Sequence, residues 1–170
     1  MSAPIAAWRA TYTPGGWVCL AGPTSLVVLQ PAPARVSDLL NRFWEDILSA
    51  SSIQDISAKL TEHELVKLSG FGLFFWDEAG LHSIVRGDVR VVDANTGQQL
   101  TTGEHIVTWT ETLLGKDSSV IIEMEPIPAA EVLHLPLLVG AATASTVFLT
   151  TRPDALVHST QPLVTTAAEP

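Results

Sequence analysis

The chain has 170 residues, 46% of them hydrophobic, and nine basic against eighteen acidic side chains give it a formal net charge of −9. That length fits one domain plus a short tail. The negative charge repels nucleic-acid phosphates and anionic lipid headgroups, so we expect neither nucleic acid nor a membrane surface as a partner. The most apolar later segment, Leu135 to Leu149, is interrupted by Pro136 and Gly140 and is shorter than the roughly 20 apolar residues that span a bilayer, so we expect no membrane insertion. The N-terminus lacks the basic start and long apolar stretch of a secretion signal, and we therefore expect a cytoplasmic protein.

The first thirty residues predict three short strands joined by turns at Pro–Gly-rich breaks. The single cysteine, Cys19, lies in the apolar run of the second strand without a neighbouring cation, which predicts a buried, unreactive thiol. The three predicted strands are Trp8–Thr13, Gly16–Leu20 and Ser25–Gln30.

The next forty residues change to a helical pattern. Apolar residues recur at spacings of three and four from Val36 to Leu48, which predicts an amphipathic helix with Ser37 as its cap. Ser52 followed by an acidic first turn predicts a second helix, and a third short helical turn ends before Gly70.

After Gly70 the pattern returns to strands. Strands, then two or three helices, then many strands predict an α+β fold: one large antiparallel β-sheet or a β-sandwich with the helices inserted after the first strands. We expect a flexible N-terminus over residues 1–7, a single α+β domain over 8–151, and a linker or tail rich in Pro, Thr, Ala and Ser over 152–170. The later predicted strands are Phe71–Trp76, Leu81–Arg86, Val89–Asp93, Glu104–Leu114, Val120–Glu125, Leu133–Val139 and Ser145–Thr150.

The sequence contains none of the local motifs that indicate catalysis or metal binding. There is no G-x-S-x-G turn, no H-E-x-x-H pair and no phosphate-binding G-x-G-x-x-G loop. His63 and His105 each adjoin a glutamate, and we interpret them as a solvated helix face and a strand-edge residue. We therefore predict no catalytic residue, no cofactor, no cofactor-binding residue and no metal ligand.

Arg86-Gly87-Asp88 has the composition of a receptor-binding tripeptide. Because no export signal or disulfide framework accompanies it, we interpret it as a tight turn or bulge in which Gly87 supplies backbone freedom.

Several stretches together resemble the N-terminal region of actinobacterial proteins that carry a forkhead-associated domain further along. They are Thr13–Trp17, Asp38–Trp44, Val85–Val89 and Val107–Glu111, and the resemblance covers residues 8 to about 150. The forkhead-associated module itself uses a Ser-x-x-His pair, and no serine here has a histidine three residues later. The resemblance therefore implies an upstream domain of a phosphosignalling protein, without phosphopeptide recognition of its own.

A second segment is similar to a hairpin of metal-dependent PPM-type phosphatases. It runs from Leu81 to Val92 and continues through Leu100-Thr101 to His105. That family holds its metals with an Asp-Gly motif after an early strand, and Ala21-Gly22 stands at the corresponding place. The resemblance therefore implies an inactive, pseudophosphatase-like relative.

Three functions follow from these observations. We expect a non-catalytic protein-interaction or regulatory domain, not an enzyme, whose protein partner the sequence does not identify. One alternative is a PPM-like phosphatase with relocated ligands, for which Asp77, Asp88 and Asp93 are the candidate carboxylates. The other is a homo-oligomeric structural protein that pairs through exposed sheet edges.

Overall fold

A computed structural model describes residues 4–105, 108–126 and 132–158. Within these ranges the chain forms nine strands and two α-helices. The helices are α1 (Ser37–Ser49) and α2 (Ile53–Glu62), and short 3-10 turns lie at Ala34–Val36, Leu65–Lys67 and Pro153–Ala155. The strands are β1 (Arg9–Ala21), β2 (Ser25–Leu29), β3 (Phe71–Asp77), β4 (Gly80–Asp93), β5 (Gln99–Gly103), β6 (Thr110–Gly115), β7 (Ser119–Glu123), β8 (Leu135–Leu137) and β9 (Gly140–Thr150).

Six of the strands close into a β-barrel, in the order β1-β2-β3-β4-β7-β9 and back to β1. All of these pairings are antiparallel. The predicted α+β fold, an open sheet or a sandwich with inserted helices, is therefore wrong. β1 pairs with β2 on one side and with β9 on the other, so the two edges of the sheet meet and satisfy each other's backbone groups. Two helices follow β2, and β5, β6 and β8 pair outside the ring.

Bulges make β1 and β4 longer than the sequence predicts. The Pro14–Gly16 break is a bulge inside the 13-residue β1, where the register with β9 shifts between Thr13 and Trp17. A second register shift lies between Gly87 and Arg90 of the 14-residue β4. The predicted bulge at Gly87 is confirmed, whereas the prediction of separate strands on either side of each break is wrong. A bulge bends and twists a strand without ending it, which helps the sheet to curl closed.

The core has two parts, separated by the wall of the barrel. Alternation along β1 sends Cys19 into the barrel and sends Val18 and Leu20 outward, toward the helices. Fully buried residues inside the barrel include Trp8, Phe74, Val91 and Leu149. The outer part lies between the helices and β1–β3, and its fully or almost fully buried residues include Phe43, Ile47, Ile56, Leu60 and Phe71.

The two predicted helices are confirmed, and their caps differ from each other. Ser52 caps α2, since its hydroxyl accepts a hydrogen bond from the backbone N–H of Asp55 at 3.1 Å. Ser37 does not cap α1. It is the first residue of that helix, and its hydroxyl donates to the carbonyl of Ala34 at 2.7 Å.

The region from residue 99 to residue 110 differs from its prediction. β5 was not predicted, and the predicted strand from Glu104 to Leu114 begins only at Thr110; its residues 106 and 107 lie outside the described ranges. His105 lies in a turn with a φ of +63°, so its interpretation as a strand-edge residue is wrong.

Both boundary segments contribute contacts to the domain. The backbone N–H of Ile5 donates to the carbonyl of Val157 at 2.9 Å, and Ala6 is buried. Pro4 and His158 form an isolated β-bridge. Residues before the first strand and after the last described strand therefore pair with each other.

Candidate functional site

A groove of about 490 Å³ lies between α1 and the outer face of β1 and β9. Leu40 and Trp44 of α1 form its wall, and Val18 and Leu20 of β1 lie in its floor. We call this the α1–β9 groove. The residues that line it are Val18, Leu20, Ser37, Leu40, Asn41, Trp44, Gly140, Ala141, Ala142 and Thr143.

The wall of the α1–β9 groove is fixed by the packing of α1. Phe43 and Ile47 on the inner face of the helix are buried in the outer core, which sets the rotation of the helix. Trp44 is half-buried, and its indole Nε1 donates to the carbonyl of Ala21 at 3.1 Å. The indole is therefore held in one orientation at the groove without a ligand.

The floor of the α1–β9 groove stays open because β9 supplies only small residues there. Opposite Val18 stands Thr143, and opposite Leu20 stands Ala141. These two pairs share the outer face of the barrel, and both Ala141 and Thr143 are exposed. Larger side chains at these two positions would fill the groove.

The same segment of β9 has one edge without a partner strand among the described residues. β9 pairs with β7 only from Thr146 to Thr150, and Met124 and Glu125 then donate their N–H groups to the carbonyl of Ser145, at 3.0 and 3.2 Å. Among the described residues, no strand pairs with the far side of Gly140–Thr143, and we call this side the β9 free edge. Backbone groups of a free edge are a template for a further strand.

An acidic patch lies where β7 ends, at the start of the β9 free edge. Asp88, Glu104, Glu123 and Glu125 line one surface depression together with Arg90. Arg90 Nε lies 3.1 Å from Glu123 Oε1 and balances that charge. The patch therefore keeps an excess of three carboxylates, of which Glu125 accepts the N–H of Gly16 at 3.1 Å.

His63 is not the solvated residue that the sequence predicts. Its side chain is only 14% exposed, its ring packs edge-to-face against Phe43 at 5.9 Å, and its Nε2 lies 2.7 Å from Asp46 Oδ2. Glu62 completes a group of potential metal ligands whose atoms lie within 4.8 Å of one another. However, Glu62 is paired with Lys59 at 3.3 Å and Asp46 with His63, so we assign the group a structural role that joins α1 to α2.

The structure does not bring together the three carboxylates considered for a phosphatase. Asp77 accepts hydrogen bonds in the β3–β4 turn, and Asp93 accepts the N–H groups of Asn95 and Thr96 at 2.8 and 2.9 Å. Asp88 belongs to the acidic patch. Within the described ranges these three do not form a group of potential metal ligands.

Two of these carboxylates have lowered pKa values. Burial acts to raise the pKa of Asp77, but hydrogen bonds from His82 and from the N–H of Ala79 outweigh it and lower the pKa. Backbone N–H groups of Thr96 and Asn95 lower the pKa of Asp93. Both carboxylates thus hold their own turns together.

Cys19 confirms the prediction of a buried thiol. It is 0% exposed inside the barrel, and burial raises its pKa to about 12. The thiolate that would act as a nucleophile or a metal ligand is therefore not available at neutral pH.

Sequence reasoning missed the α1–β9 groove and its free edge. The only local signal is the run of small residues from Gly140 to Ala144, which interrupts the larger apolar residues around it. A helix period places Leu40 and Trp44 on one face of α1, but it does not show that β9 lies beside them.

No protein-family model matches the sequence, and no curated protein or solved structure matches it either. Neither α1 nor α2, the two α-helices of the described residues, has the length and apolar character of a membrane-spanning helix.

Proposed function

We propose that this chain is a non-catalytic protein-binding domain and that its partner binds in the α1–β9 groove. The observation that carries the proposal is the combination of an apolar groove with a strand edge on the same segment of β9 that no described strand pairs. Each feature alone is common on protein surfaces. Together they offer apolar contacts and backbone hydrogen bonds to one ligand.

The chemistry of the groove supports binding. The ten described residues that line it carry no ionisable side chain, so none of them can act as a general acid or base near neutral pH. Trp44 is a rigid aromatic side chain of the type that dominates binding energy at protein interfaces. Leu48 and Val139, which are 40% and 43% exposed, add apolar surface on the same two elements or next to them.

The resemblance to N-terminal regions of forkhead-associated proteins supports a narrower proposal. If residues 8 to about 150 are such an upstream domain, the partner of the groove is a component of a phosphosignalling assembly. Peptides that bind the groove would show which sequence pattern such a partner carries.

A peptide-display library selected on the purified protein tests the function. We expect enriched peptides whose affinity falls about tenfold or more in Ala141→Trp, because the indole would occupy the groove where a hot-spot side chain binds. Thr143→Arg is a second, independent block. Both positions are exposed, so the fold is expected to tolerate them.

The matched control is Ala79→Trp, which adds the same side chain at an exposed position in the β3–β4 turn, away from the groove. We expect peptides to bind this variant like the unmodified protein. A library that yields no binder, or binders that Ala141→Trp and Thr143→Arg both leave unaffected, would overturn the proposal.

A further inference from the structure

We propose that the ligand of the α1–β9 groove is an extended peptide segment of a partner protein, which adds as a strand to the β9 free edge and carries a basic residue beside the acidic patch. This inference rests on the proposed function, because it concerns the same groove. It adds the conformation, the direction and the charge of the ligand.

The backbone of β9 sets the conformation. At Gly140–Thr143 one side of the strand pairs with β1, and the other side is the β9 free edge. Backbone groups there repeat at the spacing of a strand, so a ligand that satisfies them in sequence must itself be extended. A helical ligand would satisfy its own backbone groups and leave the edge unpaired.

The outer face selects the side chains. Successive side chains of an added strand point to opposite faces of the sheet. Every second one would lie on the outer face with Ala141 and Thr143, where the α1–β9 groove is open. The ligand is therefore expected to carry apolar residues at alternate positions, facing Trp44 and Leu40 of α1.

The end of β7 sets the direction and the charge. β7 pairs antiparallel with β9 up to the Glu123–Thr146 pair. A ligand that also pairs antiparallel with β9 would lie beyond the end of β7 and run in the same direction as β7. Its N-terminal end then lies next to Glu125, and the excess of carboxylates in the acidic patch favours a lysine or arginine there.

The net charge argues against a second copy of this chain as the ligand. Two molecules that each carry −9 repel one another, and pairing two β9 free edges would bring two acidic patches together. A partner with a basic segment would instead be attracted to the acidic patch. The charge complementarity therefore points to a different protein.

The peptides enriched by selection test the strand geometry. Each peptide is synthesised as a series in which one backbone nitrogen at a time is methylated. We expect a period of two along the peptide, with affinity losses of about tenfold at the positions that donate to β9 and small losses at the positions between them. Amide hydrogen exchange is expected to slow on peptide binding at alternate residues of Gly140–Thr143, the amides that β1 does not already hold.

A charge variant tests the acidic patch. Glu104→Gln is expected to weaken peptides with an N-terminal basic residue about two- to fivefold at low salt, the range for an exposed ion pair. Glu111→Gln is the matched control, because Glu111 is also exposed but lies on β6 outside the patch. Equal affinities for the two variants would overturn the charge assignment.

The outcomes separate the two proposals. If selection yields no peptide that the groove variants weaken, the proposed function fails. If such peptides exist but methylation shows no period of two, the strand inference fails and the binding function stands. Concentration-dependent self-association in light scattering that Thr143→Arg abolishes would assign the edge to a second copy and overturn the inference.

Discussion

Gly87 and Gly97 provide a matched test of how β4 packs against the chain near Ser69. Both glycines have a φ of +76°, a conformation that costs an L-residue about 1–2 kcal/mol. A Cβ at Gly97 meets nothing within 4 Å. A Cβ at Gly87 would collide with the carbonyl oxygen of Ser69 and lie 2.8 Å from Gly70 Cα.

The expected losses of stability follow from these two environments. Alanine also lowers the conformational entropy of the unfolded chain. This offsets about 0.4–1 kcal/mol of the loss in the free energy of unfolding of each variant. Gly97→Ala should therefore lower the free energy of unfolding by about 1 kcal/mol. Gly87→Ala carries the same strain plus an overpacking cost of about 1–3 kcal/mol, because the colliding atoms are backbone and cannot rotate away.

Urea unfolding followed by tryptophan fluorescence measures both free energies of unfolding. Since the two variants share the same φ strain, the difference between them isolates the collision. Gly87→Ala should be less stable than Gly97→Ala by about 1–3 kcal/mol. Losses that agree within about 0.5 kcal/mol would refute the close approach of β4 to Ser69.

Two further predictions concern ionisable groups. Cys19 should not react with a thiol reagent at pH 8 in the folded protein and should react fully in denaturant, because its folded-state pKa is about 12 and it is enclosed; rapid labelling without denaturant would contradict this. Asp93 has a lowered folded-state pKa, so its contribution to stability is present above the unfolded-state value of about 3.9 and is lost as the pH falls through the folded-state value. Asp93→Asn keeps an oxygen that accepts the same N–H groups, so the urea midpoint should fall less between pH 5 and pH 3 than in the unmodified protein; unchanged pH dependence would exclude the role of this carboxylate.

Local patterns in the sequence identified most of the elements. The three- and four-residue spacing of Phe43 and Ile47 with their neighbours predicts α1, and Ser52 predicts the start of α2. The β3–β4 hairpin follows from its turn at Asp77–Gly80. These features depend on neighbours within about four residues, which a pattern of residue types records directly.

Closure of the barrel depends on pairings that no local pattern contains. β1 pairs with β9, more than a hundred residues away, and hydrophobic alternation looks the same in an open sheet and in a closed one. The α1–β9 groove was missed for the same reason. Bulges were mistaken for turns because Pro14-Gly15-Gly16 has the composition of both, and only the continued pairing of Thr13 and Trp17 with β9 separates them.

Ring closure has a consequence for the kinetics of folding. β9, the most C-terminal strand among the described residues, is the neighbour of both β1 and β7, and the Ser145 hydroxyl donates to the carbonyl of Thr13 across 132 positions of sequence. Such distant pairings give a high contact order, which typically slows folding to milliseconds or seconds because the entropy of a very long loop must be lost first. Until then β1 and β7 both expose unpaired backbone, so a nascent chain stalled before residue 140 would be a natural substrate for chaperones.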